Sequence, residues 1–142
     1  MREMYQSGEL QQMLGTAKSV CIVTHQIASA KFRIYFGDEI AIGPGKADLL
    51  EAIRTSGSIS RAARELGMSY KRAWNLADTM NRCFKEPLIE TVTGGGGGGG
   101  ARLTPFGEQV LVHFRSMEKR TDAAIRADLA AFAALLADKP KS

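Results

Sequence analysis

From Lys31 onward, apolar and polar side chains alternate. Phe32, Ile34 and Phe36 are separated by Arg33 and Tyr35, the period-two pattern of a half-buried strand. Gly37 and Asp38 read as a turn, Ile40 and Ile42 resume the alternation, and Gly43, Pro44 and Gly45 break it. A hairpin leading into a helix is the simplest organisation. Beyond Gly45 the period lengthens. Leu49, Leu50 and Ile53 share one face of a helix that ends near Ser56 and Gly57. Ile59, Ala62, Ala63 and Leu66 fall at i, i+3, i+4 and i+7, one stripe of a second helix. Ser58 or Ser60 can cap its first free amides, and Gly67 stops it by tolerating the left-handed conformation. Ser69 caps a third helix whose buried positions are predicted to be Ala73, Leu76, Ala77 and Met80. Two short helices, a glycine turn and a longer helix make a helix-turn-helix pattern.

Pro87 closes that region. Leu88 to Thr93 is rich in β-branched residues and reads as a strand, Ala101 to Leu103 as a second short one, and Gly94 to Gly100 joins them. Thr104 and Pro105 open a final helix, with the proline well placed in its first turn. This helix is predicted to run to about Ala137, with a seam of Phe106, Val110, Phe114 and Met117 continued by Ile125, Leu129, Phe132 and Leu136; Asp138 to Ser142 reads as a frayed tail. Before Lys31 the pattern is weak. Leu10, Met13, Leu14 and Ala17 have helical spacing in a short, partly polar stretch, so residues 1–30 read either as an arm against a partner subunit or as a tail. The expected organisation is a mainly α fold with a little β: an arm or tail over 1–30, a winged helix-turn-helix over 31–104, and a C-terminal dimerisation helix over 105–142.

Composition narrows the classes without choosing among them. A chain of 142 residues with 44% hydrophobic and 24% charged positions has the size and make-up of one soluble domain with an appendage. Nineteen Lys plus Arg against fifteen Asp plus Glu give a net charge of +4, which permits a polyanionic partner without demanding one. Locally, Lys46 to Arg82 holds seven cations against four acids. Cys21 and Cys83 form no disulfide framework and fit a reducing compartment. No apolar run approaches the ~18 residues of a membrane-spanning helix. Val20 to Val23 imitates a signal peptide, but Thr24, His25 and Gln26 interrupt it and Glu3 and Glu9 spoil a positive start. A cytoplasmic protein is expected.

The chemistry sits on the third helix. With Ala73, Ala77 and Met80 inward, its outward side carries Tyr70, Lys71, Arg72, Asn75, Thr79 and Arg82, next to the capping Ser69. A major groove admits one α-helix. Arg and Lys bond guanine or phosphate there, Asn pairs with adenine in two places, and Tyr, Thr and Ser bond phosphate oxygens. An isolated helix with such a face is more often simply solvated; the capped helix and glycine turn before it favour DNA contact. The glycine tract lacks the Lys-Ser or Lys-Thr that must follow a phosphate-binding loop, and it is not a spaced Gly-x-Gly-x-x-Gly entering a helix. A plain linker is possible, but the flanking strands favour a hairpin tip. Such a wing, with Gly97 in its tip and Arg102 near its base, lies along the backbone or minor groove and adds affinity with little sequence information.

Other features carry less. Cys21 and His25 have metal-like spacing but no second nearby pair, and Cys83 and His113 would have to be brought to them by the fold. Trp74 has two readings, stacking on a base and packing beside the core; packing is expected. Asp48, Glu51, Asp78 and Glu108 form no recognisable carboxylate pair. With no nucleophile–base pair and only two histidines, neither an enzyme nor a cofactor is expected.

The run SISRAARELGMSYKRAWN from Ser58 to Asn75, then Met80 and Asn81, TVTGG from Thr91, and GGARLTPFG from Gly99 to Gly107 resemble the N-terminal DNA-binding domain of ModE-type molybdate-responsive regulators. They are more distantly similar to the helix-turn-helix of LysR-type regulators. The resemblance covers roughly residues 31 to 120. It implies a winged helix with the recognition helix starting at Ser69, a wing tip at Gly94 to Gly100, Trp74 inside the domain, and dimers formed through elements outside the helix-turn-helix. Full-length ModE proteins also carry C-terminal molybdate-binding domains of small β-barrel type. Residues 105–142 read as helical, so molybdate sensing is not carried over and no effector is identifiable. The expectation is a homodimeric regulator of double-stranded DNA. The rivals are a winged-helix protein-interaction module, against which Lys71, Arg72 and Arg82 argue, and a small nucleotide enzyme.

Overall fold

The structure, a computed structural model, describes residues 28–94 and 98–139; the expected arm up to residue 27, with Cys21 and His25, and the wing residue Gly97 lie outside the described residues. The elements follow in the order β1 (Ile34–Phe36), β2 (Glu39–Ile42), α1 (Pro44–Ser56), α2 (Ile59–Leu66), α3 (Tyr70–Cys83), β3 (Ile89–Gly94), β4 (Gly98–Leu103) and α4 (Pro105–Ala133). This is an α+β winged helix. Lys31–Thr121 form one compact unit; of the other unit, residues 28–30 and 122–139 are described.

β1 and β2 pair antiparallel, but their register shifts between Ile34 and Tyr35: Ile34 lies opposite Ile42, and Tyr35 opposite Ile40. One extra residue in a strand turns the following side chains to the other face. Ile40 and Ile42, expected to share a face, are therefore split. Ile42 and its neighbour Ala41 are buried while Ile40 is half-buried, and Phe36, at the hairpin end, is 67% exposed.

The three helices start and stop where local chemistry directs. Pro44 opens α1, a position where its missing amide hydrogen costs nothing. Ser58 Oγ accepts a hydrogen bond from the Arg61 amide at 3.1 Å, and Ser69 Oγ from the Arg72 amide at the same distance, so each satisfies one of the free N–H groups of a helix start. α2 ends at Gly67, whose φ of 71° places it in the left-handed region. A Cβ there would touch nothing within 4 Å, so the preference for glycine is conformational rather than steric. The core gathers Leu49, Leu50 and Ile53 of α1, Ile59, Ala62 and Ala63 of α2, and Ala73, Ala77 and Met80 of α3. Each large side chain here contributes ~1.5–3 kcal/mol through removal from water. Two expected core positions fall short. Leu66, the last residue of α2, is 37% exposed because the stripe outruns the core, and Leu76 is only partly buried at its edge.

β3 and β4 form an antiparallel hairpin from Ile89 opposite Leu103 to Gly94 opposite Gly98. The ladder thus runs deeper into the glycine tract than the side-chain pattern suggests, because pairing uses only backbone groups. Of the seven residues expected in the connection, Gly94 and Gly98 to Gly100 pair in the ladder instead. At its base the hairpin is tied down: the Ala101 amide donates to Gly57 O at 2.9 Å, and a Cβ on Gly100 would stand 2.8 Å from that carbonyl. Glycine permits this approach. α4 closes the core with Gly107, Leu111 and Phe114, the last packing on Phe32 with ring centroids 5.2 Å apart. The expected seam is rotated: Phe106 and Val110 are partly buried, Met117 is 40% exposed, and Leu111 takes the inner place.

Candidate nucleic-acid interface

Helical geometry sorts the residues of α3. Ala73, Ala77 and Met80 are buried against α1 and α2, and each residue turns about 100° from its predecessor, so Lys71, Asn75, Asp78 and Arg82 occupy the opposite side. Lys71, Arg72, Asn75 and Arg82 are exposed. Ser69, Lys71, Arg72 and Asn75 together line an open depression of about 290 Å³ at the start of the helix. The Ser69 hydroxyl accepts from the Arg72 amide, so its first role is to hold this end of the helix in shape. Tyr70 is 56% exposed on the flank.

One turn further on, the chemistry changes. Arg82 Nε donates to Asp78 Oδ2 at 3.1 Å, its Nη2 donates to Thr79 Oγ1 at 3.3 Å, and its Nη1 stands 4.0 Å from Glu39 Oε2. The hydrogen bond to Asp78, against a smaller desolvation cost, raises the guanidinium pKa above its ordinary value. Thr79 Oγ1 itself donates to Asn75 O at 2.9 Å. The sequence-predicted residues thus divide into an open group, Lys71, Arg72 and Asn75, and a bonded pair, Thr79 and Arg82. Arg102 on β4 is separate from both, held by Glu90 across the hairpin at 2.8 Å. Lys46, counted among the local cations, is not on this face: it is buried, its Nζ donates to Ile40 O at 2.7 Å, and burial lowers its pKa.

One residue acquires a role that the sequence did not predict, and another departs from its expected place. Asn81 joins the end of α3 to the wing. Its Oδ1 accepts from the Leu88 and Ile89 amides at 2.8 and 3.1 Å, and its Nδ2 donates to Ile89 O at 3.0 Å. Trp74, expected inside the domain, is 45% exposed. It lies about 100° round the helix from Ala73, at the border between core and recognition face, where one side of the ring is covered and the other is not. That angular position is readable from the sequence once Ala73 is known to point inward. Among the described residues no three His, Cys, Asp or Glu side chains gather as a metal site, and no helix is long and apolar enough to cross a membrane.

A capped α2, a glycine turn, an α3 with a polar outer face, and a hairpin tied to the end of α3 and to Gly57 in the turn before α2 define a winged helix-turn-helix. Residues 46–108 match the family described as bacterial regulatory helix-turn-helix protein, lysR family. This segment carries a helix-turn-helix of that type, and it is homologous to ModE-type regulators. The chain is 44% identical over 77 residues to the molybdenum-pterin-binding protein MopA of Rhodobacter capsulatus, covering 54% of this chain and 29% of that protein. It is 42% identical over 85 residues to the molybdenum transport protein ModE of Azotobacter vinelandii, covering 60% and 32%. It is 46% identical over 68 residues to the DNA-binding transcriptional dual regulator ModE of Escherichia coli K12, covering 48% and 26%. The matches therefore span about a third or less of these relatives' length.

Proposed function

We propose that this chain is a sequence-specific, double-stranded DNA-binding transcriptional regulator. The observation that carries the reading is the exposed set Lys71, Arg72 and Asn75 on the outer side of α3, whose inner side is locked in the core of a winged helix. α3 enters the major groove, its N-terminal half meets base edges, and the wing with Arg102 follows the backbone. The kinship with regulators named for DNA binding supports the same reading. The chain works as a homodimer, so that two half-sites are read about one helical turn apart. Support for this lies in exposed apolar side chains outside the recognition face: Tyr35, Phe36, Val112 and Met117 in the compact unit, and Phe132, Leu135 and Leu136 beyond it. Of these, Tyr35, Phe36 and Met117 border one apolar groove, and contiguous apolar surface marks association sites on soluble proteins.

The test is selection of bound duplexes from a random pool, followed by titration of the selected duplex at several salt concentrations. Each lost phosphate contact lowers the log–log salt slope by about 0.9. Lys71→Ala flattens that slope, whereas Asn75→Ala costs ~1–3 kcal/mol and relaxes preference at one position. Undiminished binding by the triple variant Lys71→Ala, Asn75→Ala, Arg82→Ala would remove α3 from the interface. A symmetric selected site, with sedimentation at twice the chain mass, reports the dimer.

A further inference from the structure

Trp74 is the largest side chain on α3, and a good part of it faces water. It is 45% exposed, and Tyr70, one turn earlier on the same flank, is 56% exposed. Residues four apart on a helix are neighbours, so the two aromatics form one apolar edge along the wing side of the recognition face. The covered part of the indole shares a depression of about 380 Å³ with Ile59, Ala77, Pro87 and Ile89. Those residues come from α2, α3 and the segment leading into the wing, so Trp74 borders the junction of the three. By helical geometry it stands about 60° round the helix from Lys71 and about 100° from Asn75, in the N-terminal half, the part that approaches base edges in a helix-turn-helix.

Two classes of DNA surface lie within reach of such an edge: the sugar-phosphate backbone and the bases. Charge separates them. The depression that Trp74 shares is lined by no Lys or Arg, and its two carboxylates, Asp78 and Glu90, are already bonded to Arg82 and Arg102, so nothing in that lining recruits a phosphate to the indole. Among bases, only thymine presents an apolar group in the major groove, its 5-methyl. We propose that Trp74, flanked by Tyr70, is a specificity-determining residue that takes a thymine methyl in each half-site. This rests on the DNA-binding reading above and adds to it an apolar element of sequence preference, beside the polar readout by Lys71 and Asn75.

The experiment uses the full chain and the duplex it selects from a random pool. Thymines are replaced one at a time by deoxyuridine, which removes the methyl and leaves base pairing intact. Wild type is expected to lose about fourfold in affinity at one or two positions per half-site, the scale of one methylene-sized apolar contact. With Trp74→Ala the same replacements change affinity by less than about twofold, while Trp74→Phe keeps part of the discrimination. Comparing thymine with deoxyuridine within each variant cancels any general loss of affinity or stability. Because the sequence holds a single tryptophan, its emission reports this site alone and shifts on saturation with the thymine duplex. A selected, tightly bound duplex whose deoxyuridine losses are equal in wild type and Trp74→Ala, or absent throughout, overturns the inference and leaves the DNA-binding reading standing. Failure to retain any duplex overturns both.

Discussion

Asn81→Ala should loosen the wing from the recognition helix. The side chain makes three hydrogen bonds to the first residues of β3, two as acceptor and one as donor. Leu88 and Ile89 are 0% and 4% exposed, so their amides have little access to water once the Asn81 oxygen is gone. A buried donor left without a partner costs ~1–3 kcal/mol, and the Ile89 carbonyl, with a second lone pair available, adds less. The expected loss is about 3 kcal/mol, a large share of the ~5–15 kcal/mol that holds a typical domain together. For a unit of this size that lowers Tm by more than about 10 °C. Asn81→Asp separates the contributions. It retains both acceptor contacts and replaces only the donor, setting an oxygen against the Ile89 carbonyl, so it should cost about 1–2 kcal/mol. Urea unfolding followed by circular dichroism gives both values. If Asn81→Ala unfolds within about 0.5 kcal/mol of wild type, or Asn81→Asp is the more damaging of the two, the side chain is not the tie described.

Gly107→Ala should destabilise despite alanine's better helix propensity, because the new Cβ meets the Leu88 carbonyl oxygen and stands 3.0 and 3.1 Å from the Leu88 C and Cα. That carbonyl already accepts from the Thr104 amide at 2.9 Å, so it cannot retreat freely; the expected net cost is ~1–3 kcal/mol, read by thermal melting. Lys46→Met should change the alkaline limb of the stability curve. Burial lowers the Lys46 pKa below its unfolded value of 10.5, so the unfolded chain binds more protons there and wild-type stability gains from this group as pH rises toward 10.5. The methionine variant should lack that gain in urea titrations between pH 8 and 10.5, and an unchanged curve would count against a buried charge. Arg115→Gln removes a guanidinium that bonds Asp48 and Glu51 of α1 and Glu118 of α4 at 2.7, 2.9 and 2.9 Å. Desolvation opposes its charge, but the hydrogen bonds it donates to Glu51, Asp48 and Glu118 outweigh it and raise its pKa. Since its partners are partly in water, the cost should be about 1 kcal/mol and shrink in high salt; a larger, salt-independent loss would point to packing instead.

The elements that position the recognition face are those with local causes. Ser58 and Ser69 cap because a hydroxyl three residues ahead of a free amide reaches it whatever lies elsewhere, and Gly67 ends α2 because its φ of 71° is open to glycine. The stripe Ile59, Ala62, Ala63 is buried as its spacing requires, and Leu66 fails only because the core ends before the stripe does. In the β1–β2 hairpin the pattern misleads. Alternation assigns Ile40 and Ile42 to one face, and a register shift, which depends on how two strands meet, separates them.

By itself, then, the sequence determined the period and caps of the helices around the turn, the outward set from Tyr70 to Arg82 and the kinship with ModE-type regulators, because these depend on residues within a turn or two of each other or on short motifs. Tertiary structure decided what depends on distant neighbours. It set which cations stay open and which are engaged, since Asp78 and Glu39 hold Arg82 and burial takes Lys46. It also set how far the wing ladder enters the glycine tract and that Asn81 ties wing to helix. Trp74 shows the boundary between the two most clearly. Its angle on α3 follows from helical geometry, but how much of it stays in water depends on which distant segments come up beside it; Ile59, Pro87 and Ile89 border the same depression, and Trp74 remains 45% exposed.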